Sequence, residues 1–460
     1  MTQIVQSTKE MFQDKIFLKK AVQIACPVAL QGMLNTVVNL VDTLMIGTLG
    51  ATAIAAVGLA NKVFFVFSLL VFGIVSGSGI LAAQFWGRKD VKHIRKVLGL
   101  SVALAMAGAA LFVIPGLVCP DRVMRIFTTS EASIALGATY LRVAALTYPF
   151  IALTNVFVAM LRAVNQVKVP VCTSCIAIVI NIILNYILIF GAFGAPRLGV
   201  VGAALATLIA RLIETALVVG YVYGTKSPVA GTISELFGWP GPFIRRFLDT
   251  AAPVIANEFM WGLGTTMYSL AYGRMGDDAV AAITIATTIQ DIVVVLFQGL
   301  SAATAVILGN EMGAGKLKRA ERYAVNFFIL QFIATLAAAA VVVGIRWPLI
   351  GLYRITPEVA RDVNMCILLF ALYMPAKMFN YVNVVGVLRS GGDTKMCLFL
   401  DTSGVWIIGV PLAFLGALVW KLPIYAVYAL VMLEEVYKMI LGYIRYRQKK
   451  WLRNLAAEIR

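Results

Sequence analysis

Twelve long apolar segments constrain the fold of this chain more than any other feature. A helix needs about 20 apolar residues to cross the hydrocarbon core of a bilayer. The segments are apolar throughout, whereas the strands of a membrane β-barrel alternate apolar and polar residues. The sequence therefore predicts an all-α integral membrane protein with transmembrane helices at residues 26–47, 54–84, 97–118, 137–160, 169–191, 200–223, 250–273, 279–308, 323–345, 360–387, 396–418 and 424–444. The second, eighth and tenth are long enough to imply tilt or an interfacial extension.

The composition and the placement of charge agree with a membrane protein. Hydrophobic residues make up 61% of the chain and charged residues 13%, against about 45–50% and about 25% in soluble proteins. If the N-terminus is cytoplasmic, the inner segments carry 26 Lys and Arg residues and the outer loops 8. This bias predicts a plasma-membrane protein with both termini in the cytoplasm. It also attributes the net charge of +17 to contact with anionic lipid, so no nucleic acid partner is expected.

An internal repeat predicts two homologous lobes. Residues 47–57 recur as residues 273–283, at an offset of 226. The same offset relates Pro27 to Pro253, Gly87 to Gly313, and Pro149 to Pro375. Each half holds six spans, an even number, so the repeat is parallel and relates two six-helix bundles. We expect an N-terminal lobe at 1–230, a C-terminal lobe with the linker at 231–460, and a monomer.

Signatures of enzymes and of ATP-driven pumps are not found in the sequence. The only histidine is His93, in a basic loop, which argues against histidine-based catalysis and zinc sites. The segment 309–317 resembles a phosphate loop, but its spacing is one residue too long and Leu317 stands where Mg²⁺ would need Ser or Thr. No cofactor or enzymatic activity is therefore expected.

Ionisable side chains inside spans are costly, and they are therefore functional candidates. The N-terminal lobe contributes Asp42, Lys62, Arg211 and Glu214. The C-terminal lobe contributes Glu258, Asp291, Lys377, Asp401, Glu434, Glu435 and Lys438.

Asp42 is the leading candidate in the N-terminal lobe. It follows Pro27 by 15 residues, about 22 Å of helix, which places it in the outer half of the first span. Asn35 and Asn39 share its helix face. Burial holds such a carboxyl group as the neutral acid unless a cation lies beside it, so both H⁺ and Na⁺ coupling are compatible with it. A structural partner for Lys62 or Arg211 remains the alternative.

Polar residues of two further spans could complete a site around Asp42. Asn181 and Asn185 are four residues apart on one face of span 5, and Thr207 lies in span 6. A carboxylate with amide and hydroxyl oxygens suits a hard cation such as Na⁺. The asparagines could equally join membrane helices by plain hydrogen bonds.

The remaining charges divide into predicted pairs and unmatched acids. Arg211 and Glu214 are expected to form an intrahelical pair, as are Glu434 and Lys438, which have the favourable spacing and order. Acids with no evident partner are Glu258, Asp291, Asp401 and Glu435. The sequence thus predicts an acidic interior in the C-terminal lobe, which would attract lipophilic cations.

Over nearly its whole length the chain resembles the multidrug and toxic compound extrusion (MATE) transporters, and it is closer to their NorM-type pattern. The matching motifs are residues 41–47, 181–186, 194–207 and 388–394, with Pro253 followed by Glu258. The resemblance implies a V-shaped pair of six-helix bundles, alternating access, and export of drugs or dyes driven by H⁺ or Na⁺.

The resemblance also implies roles for individual residues. Asp42 matches the first-span acid linked to coupling, Asn181, Asn185 and Thr207 match the polar cluster around it, and Glu258 matches the seventh-span acid. Two positions depart from family patterns.

The first departure is Asn185, which stands where one branch has aspartate. The second is Met378, near Lys377 and Asn380, which stands where NorM-type members have a tenth-span aspartate. Coupling is therefore expected at Asp42. The C-terminal charges, with Asn380, are expected to form a different network.

Two other functions were weighed. A flippase or exporter of lipid-linked precursors or metabolites would favour a basic cleft, whereas the intramembrane charges here are mostly acidic. An intramembrane enzyme would need a nucleophile or metal motif, and the sequence contains neither. The leading hypothesis is a cation-coupled exporter of lipophilic cations that contacts membrane lipid.

Overall fold

The computed structural model describes residues 2–458, with side chains described for residues 8–50 and 52–458. Every predicted span lies in a helix or a broken helix. The first half contains α1 (Thr2–Gln13), α2 (Lys15–Gly47), α3 (Ala51–Gly87), α4 (Val91–Val118), α5 (Pro120–Arg125), α6 (Glu131–Ala145), α7 (Tyr148–Ala163), α8 (Lys168–Phe190), α9 (Val200–Gly224) and α10 (Ile233–Phe237). The second half contains α11 (Gly241–Gly273), α12 (Asp277–Gly313), α13 (Leu317–Ile350), α14 (Pro357–Asn380), α15 (Thr394–Ser403), α16 (Val410–Phe414), α17 (Ile424–Arg447) and α18 (Leu455–Glu458).

The helices confirm the predicted fold class of a multi-span membrane protein. Among residues 2–458, nine helices are long and apolar enough to cross a bilayer, or ten if one bent pair counts as a span. The other two predicted spans coincide with α11 and α17. The apolar run of α11 contains Asn257 and Glu258, and α17 carries three charged residues near its centre. These polar residues lower the apolarity of both helices, although each is long enough to span.

Three spans that the sequence predicts as continuous helices are interrupted. The fourth is bent by 43° between α6 and α7, where Pro149 lies in the first turn of α7 and leaves one carbonyl of the preceding turn without its donor. The tenth and eleventh spans contain π-helical segments, at Tyr381–Leu388, Gly404–Gly409 and Leu415–Val419. Single turns of π-helix occur frequently at functional sites.

The repeat is visible in the backbone. Gly50 precedes α3 and Gly276 precedes α12, 226 residues later, and both have φ of 108°. A side chain would be strained at that angle, so each turn requires glycine. The equivalent turns show that the two halves share local conformation as well as sequence.

By internal packing the chain divides into two compact units. The N-unit is Leu30–Ile255, and the C-unit combines Met1–Ala29 with Ala256–Arg460. The divisions fall inside α2 and α11, two residues after Pro27 and Pro253, and so obey the repeat offset. The sequence places the boundary at 230/231, in the linker, and that boundary between lobes stays a prediction.

Candidate functional site

Four residues predicted to act together are joined by hydrogen bonds in the N-unit. The amide of Asn185 donates to Asp42 Oδ1 at 2.6 Å and to Asn181 Oδ1 at 3.2 Å. Asn181 Nδ2 in turn donates to Thr207 Oγ1 at 3.3 Å. We call these four residues the Asp42 cluster. It brings one carboxyl group, two amides and a hydroxyl together from α2, α8 and α9.

The burial of the cluster is graded. Asn185 is fully buried and Asn181 is 5% exposed, whereas Asp42 and Thr207 are half-buried. Asp42 forms no ion pair within 4 Å among the described residues. The Asn185 Oδ1 atom is buried and accepts no hydrogen bond from them. The cluster thus presents a reachable carboxylate next to an unused acceptor oxygen.

A second set of residues continues from the cluster along the same helices. Arg211 Nη1 donates to Glu214 Oε2 at 2.7 Å, and Ser174 Oγ donates to Glu214 Oε1 at 2.7 Å. Gln31 Nε2 donates to Ser174 at 2.8 Å, and Arg162 Nη2 donates to Gln31 Oε1 at 2.5 Å. We call these five residues the Glu214 chain. The predicted pair of Arg211 and Glu214 is therefore present, but as one link of a longer chain.

Helix register explains why the cluster and the chain line up. Asp42 bonds Asn185 and Gln31 bonds Ser174, and both pairs are 143 residues apart. The helices α2 and α8 therefore keep one parallel register over 11 residues, which is about three turns. Along α8 from Asn181 back to Ser174, the partner on α9 advances by seven residues, from Thr207 to Glu214. That is two turns of an antiparallel pair.

Gly202 permits the close approach of α8 and α9. A Cβ added at this glycine would lie 2.4 Å from the carbonyl oxygen of Leu188. Such a contact with backbone cannot be relieved by a rotamer change. A residue without a side chain is therefore needed where the two helices cross beside the cluster.

Three other N-terminal candidates lie outside this arrangement. Asn35, Asn39 and Lys62 are exposed. Asn39 has its carbonyl oxygen bonded by the Thr43 hydroxyl, one turn along the helix. The predicted polar face of α2 is thus divided, because Asp42 contacts α8 while the two asparagines do not. Lys62 forms no ion pair with Asp42, which leaves Arg211 as the cation associated with the cluster.

The C-terminal candidates form paired groups in the C-unit. Lys438 Nζ lies 3.5 Å from Glu434 Oε1 and 3.3 Å from Glu435 Oε2. Tyr268 donates to Glu434 at 2.5 Å, and Asn380 Nδ2 donates to Glu435 Oε2 at 2.8 Å. We call these five residues the Lys438 network. Glu434, Glu435 and Lys438 are each buried.

The remaining acids of this unit correct the expectation of unmatched carboxylates. Glu258 accepts from Arg389 at 2.9 Å, and Asp401 accepts from Asn257 at 2.9 Å. Arg389 is buried, although the sequence places it in a cytoplasmic loop. Asp291 is exposed and Lys377 half-buried, and their charges attract each other without a close contact. The predicted acidic interior is thus largely neutralised by cations and amides.

Sequence reasoning missed Gln31, Ser174 and Arg162. Two spacings could have found the first two, because Gln31 precedes Asp42 by 11 residues and Ser174 precedes Asn185 by the same number. Across the described residues no group of three or more His, Cys, Asp and Glu side chains could hold a metal ion. A Na⁺ ion would depend on the mixed oxygens of the Asp42 cluster, as the sequence suggests.

Comparison with known proteins assigns the chain to a family. The MatE family model matches residues 27–187 and again 253–415, so its two matches begin at the prolines that the repeat relates. Together they cover more than half of the chain. The chain belongs to the MatE family. It is therefore a multi-span membrane transporter of a multidrug efflux family, as the resemblance implies.

The relatives of this family member are similar over most of their length. The chain is 23% identical to the uncharacterized transporter YisQ of Bacillus subtilis, over 93% of this chain and 94% of that protein. It is 22% identical to a probable multidrug resistance protein NorM of Thermotoga maritima, over 94% and 93%. It is 26% identical to the multidrug resistance protein MdtK of Yersinia pseudotuberculosis, over 85% and 86%.

Solved structures show the same fold. An outward-facing multidrug resistance MATE transporter of the MOP superfamily matches with a TM-score of 0.85 and 20% identity, covering 94% of this chain and 95% of that one. A MOP superfamily transporter from Pyrococcus furiosus, described as having a binding pocket of reverse polarity, matches with the same score, identity and coverage. At this identity the match extends to the fold alone.

Proposed function

We propose that this MatE transporter exports lipophilic, cationic small molecules in exchange for H⁺ or Na⁺, which binds at the Asp42 cluster. The observation that carries the proposal is the hydrogen bond from Asn185 to Asp42 beside a free Asn185 oxygen. A carboxylic acid pairs with an amide through two hydrogen bonds, so a proton on Asp42 would supply the missing donor. A Na⁺ ion would instead bind the carboxylate and amide oxygens directly.

The partial burial of Asp42 supports the proposal that its carboxylate takes up a cation. A half-buried carboxylate in a span, without an ion pair, is costly in its charged form. Binding of H⁺ or Na⁺ removes that cost and changes the charge of the cluster by one. Each positive charge that enters down a potential of 100 mV supplies about 2.3 kcal/mol, which can drive substrate outward by alternating access.

Flux measurements in proteoliposomes test this function. A lipophilic cationic dye is loaded, and a pH gradient or a Na⁺ gradient is imposed separately. We expect one gradient to drive dye movement, and Asp42→Asn to abolish the driven movement while leaving folding intact. Normal driven flux in Asp42→Asn contradicts the proposed site. No flux under either gradient would instead favour a lipid-linked or metabolite substrate.

The topology follows from the same proposal. Export in exchange for an inward-moving cation fits the plasma membrane, and the Lys and Arg distribution supports a cytoplasmic position for both termini. A protease added to spheroplasts should leave a C-terminal tag intact and remove it after lysis. Light scattering in detergent should give the mass of one chain, since two homologous lobes already form a pseudo-dimer.

A further inference from the structure

We propose that Arg211 is an exchangeable counter-ion, which pairs with Asp42 when no coupling cation is bound and with Glu214 when one is. This inference rests on the proposed coupling at Asp42 and adds a positioning residue to it. The structure shows the pair of Arg211 with Glu214, and the pair of Arg211 with Asp42 is the part that is proposed. Arg211 then exchanges between two partners, one in the Asp42 cluster and one in the Glu214 chain.

Geometry places Arg211 between the two acids. It follows Thr207 by four residues and precedes Glu214 by three, so all three share the face of α9 that packs against α8. Thr207 belongs to the Asp42 cluster, one helical turn from Arg211. The guanidinium also attracts the Asp42 carboxylate electrostatically. A flexible side chain on this turn can therefore serve either acid.

The two partners of the pair differ in freedom. The Glu214 side chain is 3% exposed, and that of Arg211 is 35% exposed. Glu214 is further fixed because Ser174 holds its second oxygen, and Ser174 is itself tied through Gln31 to Arg162. The carboxylate is thus anchored while the guanidinium lies at the edge. If the pair exchanges partners, Arg211 is the part that moves.

The charges of the four ionisable side chains explain why Arg211 would exchange partners. Asp42, Glu214, Arg211 and Arg162 carry two negative and two positive charges, so the empty site is neutral overall. A cation that binds Asp42 adds one positive charge and competes directly with Arg211. Glu214 then gives the guanidinium a partner, and the pair compensates the buried Glu214 carboxylate, which would be costly alone. Without Glu214 the guanidinium would stay on Asp42 and oppose cation binding.

Other charged and titratable groups around Asp42 do not provide this function. Tyr140 of α6 lies close enough to interact electrostatically with Asp42, but it is neutral when protonated. Lys62 of α3 is exposed and forms no ion pair among the described residues. Arg211 is therefore the cation positioned to compete at the cluster.

The test measures the coupling-cation concentration that gives half-maximal dye flux in proteoliposomes. Arg211→Gln removes the competitor, so half-maximal flux should occur at a lower cation concentration. Glu214→Gln leaves Arg211 on Asp42, so a higher concentration should be required. We expect each shift to be about tenfold, or about one pH unit for H⁺, in opposite directions. Arg211→Lys should stay near the wild-type value.

Controls separate this exchange from a static ion pair. Arg125 and Glu131 form a bidentate pair in the same unit, at 2.8 and 2.9 Å, and their Gln variants should not shift the midpoint. If both Arg211→Gln and Glu214→Gln lower flux without moving the midpoint, or move it in the same direction, the exchange is wrong. If either variant does not fold, the Arg211→Gln/Glu214→Gln double variant is measured. It should keep the lowered midpoint of Arg211→Gln, because Glu214 acts only by holding Arg211, and a midpoint raised above the wild-type value contradicts the proposal.

The Asp42→Asn variant separates a failure of the proposed function from a failure of the counter-ion inference. If Asp42→Asn still shows driven flux, the proposed function itself fails, and the counter-ion inference fails with it. If Asp42→Asn loses driven flux while the Arg211 and Glu214 variants behave like wild type, only the counter-ion inference fails.

Discussion

The Asp42 cluster and the Lys438 network solve the same problem differently. Both place carboxyl groups inside spans, but Glu434 and Glu435 lie beside a lysine of their own helix, whereas Asp42 has amide and hydroxyl neighbours. A lysine on the same helix stays beside its acids and permanently offsets one of their two negative charges. An acid surrounded by amides is neutralised only by a cation that arrives and leaves. The comparison indicates that the cluster is suited to coupling and the network to structure.

The Asp42 cluster and the Lys438 network also differ in the backbone conformation that holds them. The glycines of the π-helical segment Gly404–Gly409 make room for the Lys438 network, since a Cβ at Gly404 would lie 2.8 Å from the Lys438 stem and one at Gly409 2.0 Å from the Tyr268 hydroxyl. The Asp42 cluster lies on regular α-helices. A network built into irregular helix is harder to rearrange in each transport cycle, which again favours a structural role.

The largest expected effect is on transport. Asp42→Asn should reduce cation-driven dye flux to the background of empty liposomes, because an amide takes up no proton near neutral pH and has no negative charge to hold Na⁺. Glu434→Gln should retain driven flux, because Lys438 remains neutralised by Glu435. Dye fluorescence in proteoliposomes measures both. If Glu434→Gln folds normally but loses driven flux, the Lys438 network takes part in coupling and is not only structural.

The next effect is on stability, and it should be larger in the Lys438 network than in the Asp42 cluster. Lys438→Met leaves two buried carboxylates without their counter-charge and should destabilise the protein by about 3–5 kcal/mol. Asp42→Asn should change stability by less than about 0.5 kcal/mol. Thermal unfolding in detergent measures the difference. Equal melting temperatures for Lys438→Met and wild type would show that the network does not stabilise the C-unit.

A smaller effect is expected where α8 meets α9. Gly202→Ala forces the helices apart at the Leu188 carbonyl and should cost about 1–3 kcal/mol, while weakening the Asn181–Thr207 contact and cation affinity. Gly220→Ala on the same helix has open space around it and serves as the matched control. The comparison is sharpened if only Gly202→Ala shifts the cation midpoint.

The smallest effect concerns a surface charge outside the spans. The backbone N–H of Thr232, and then Arg95, hold the pKa of Glu235 below its ordinary value of 4.5. Because the folded-state pKa is lowered, this stabilisation is present above pH 4.5 and disappears as pH falls through the lowered value. The protection of α10 amides against hydrogen exchange, relative to their intrinsic exchange rate at each pH, should therefore fall in acid. Glu235→Gln should show fast exchange already at neutral pH, with transport unchanged.

Sequence patterns predicted the spans well because the signal is local. Twenty apolar residues must form a helix in a bilayer, so twelve segments could be placed without knowing their neighbours. The repeat offset was likewise readable from Gly47 and Gly273 onward. The π-helical breaks in the tenth and eleventh spans were not predicted, because π-helical turns depend on what packs against them. The bend in the fourth span was not predicted either, although Pro149 is a local signal for it.

Part of the candidate site could also be predicted from the sequence. Helical spacing put Asn181 and Asn185 on one face, and a carboxylate in a span stood out by its cost. Spacing did not show that Asn35 and Asn39 turn away from the contact with α8. It also did not show that Arg389 reaches Glu258, because a count of charges by segment ignores where a long side chain ends.

The sequence by itself determined the helices, their repeat and the family, since each depends on residues close together in the chain or on their order. Only the tertiary structure decided which charges meet. Asp42 and Asn185 are 143 residues apart, and Tyr268 and Glu434 are 166 apart. Such pairs form when helix register brings them within hydrogen-bond distance, and no local pattern encodes register between separate helices.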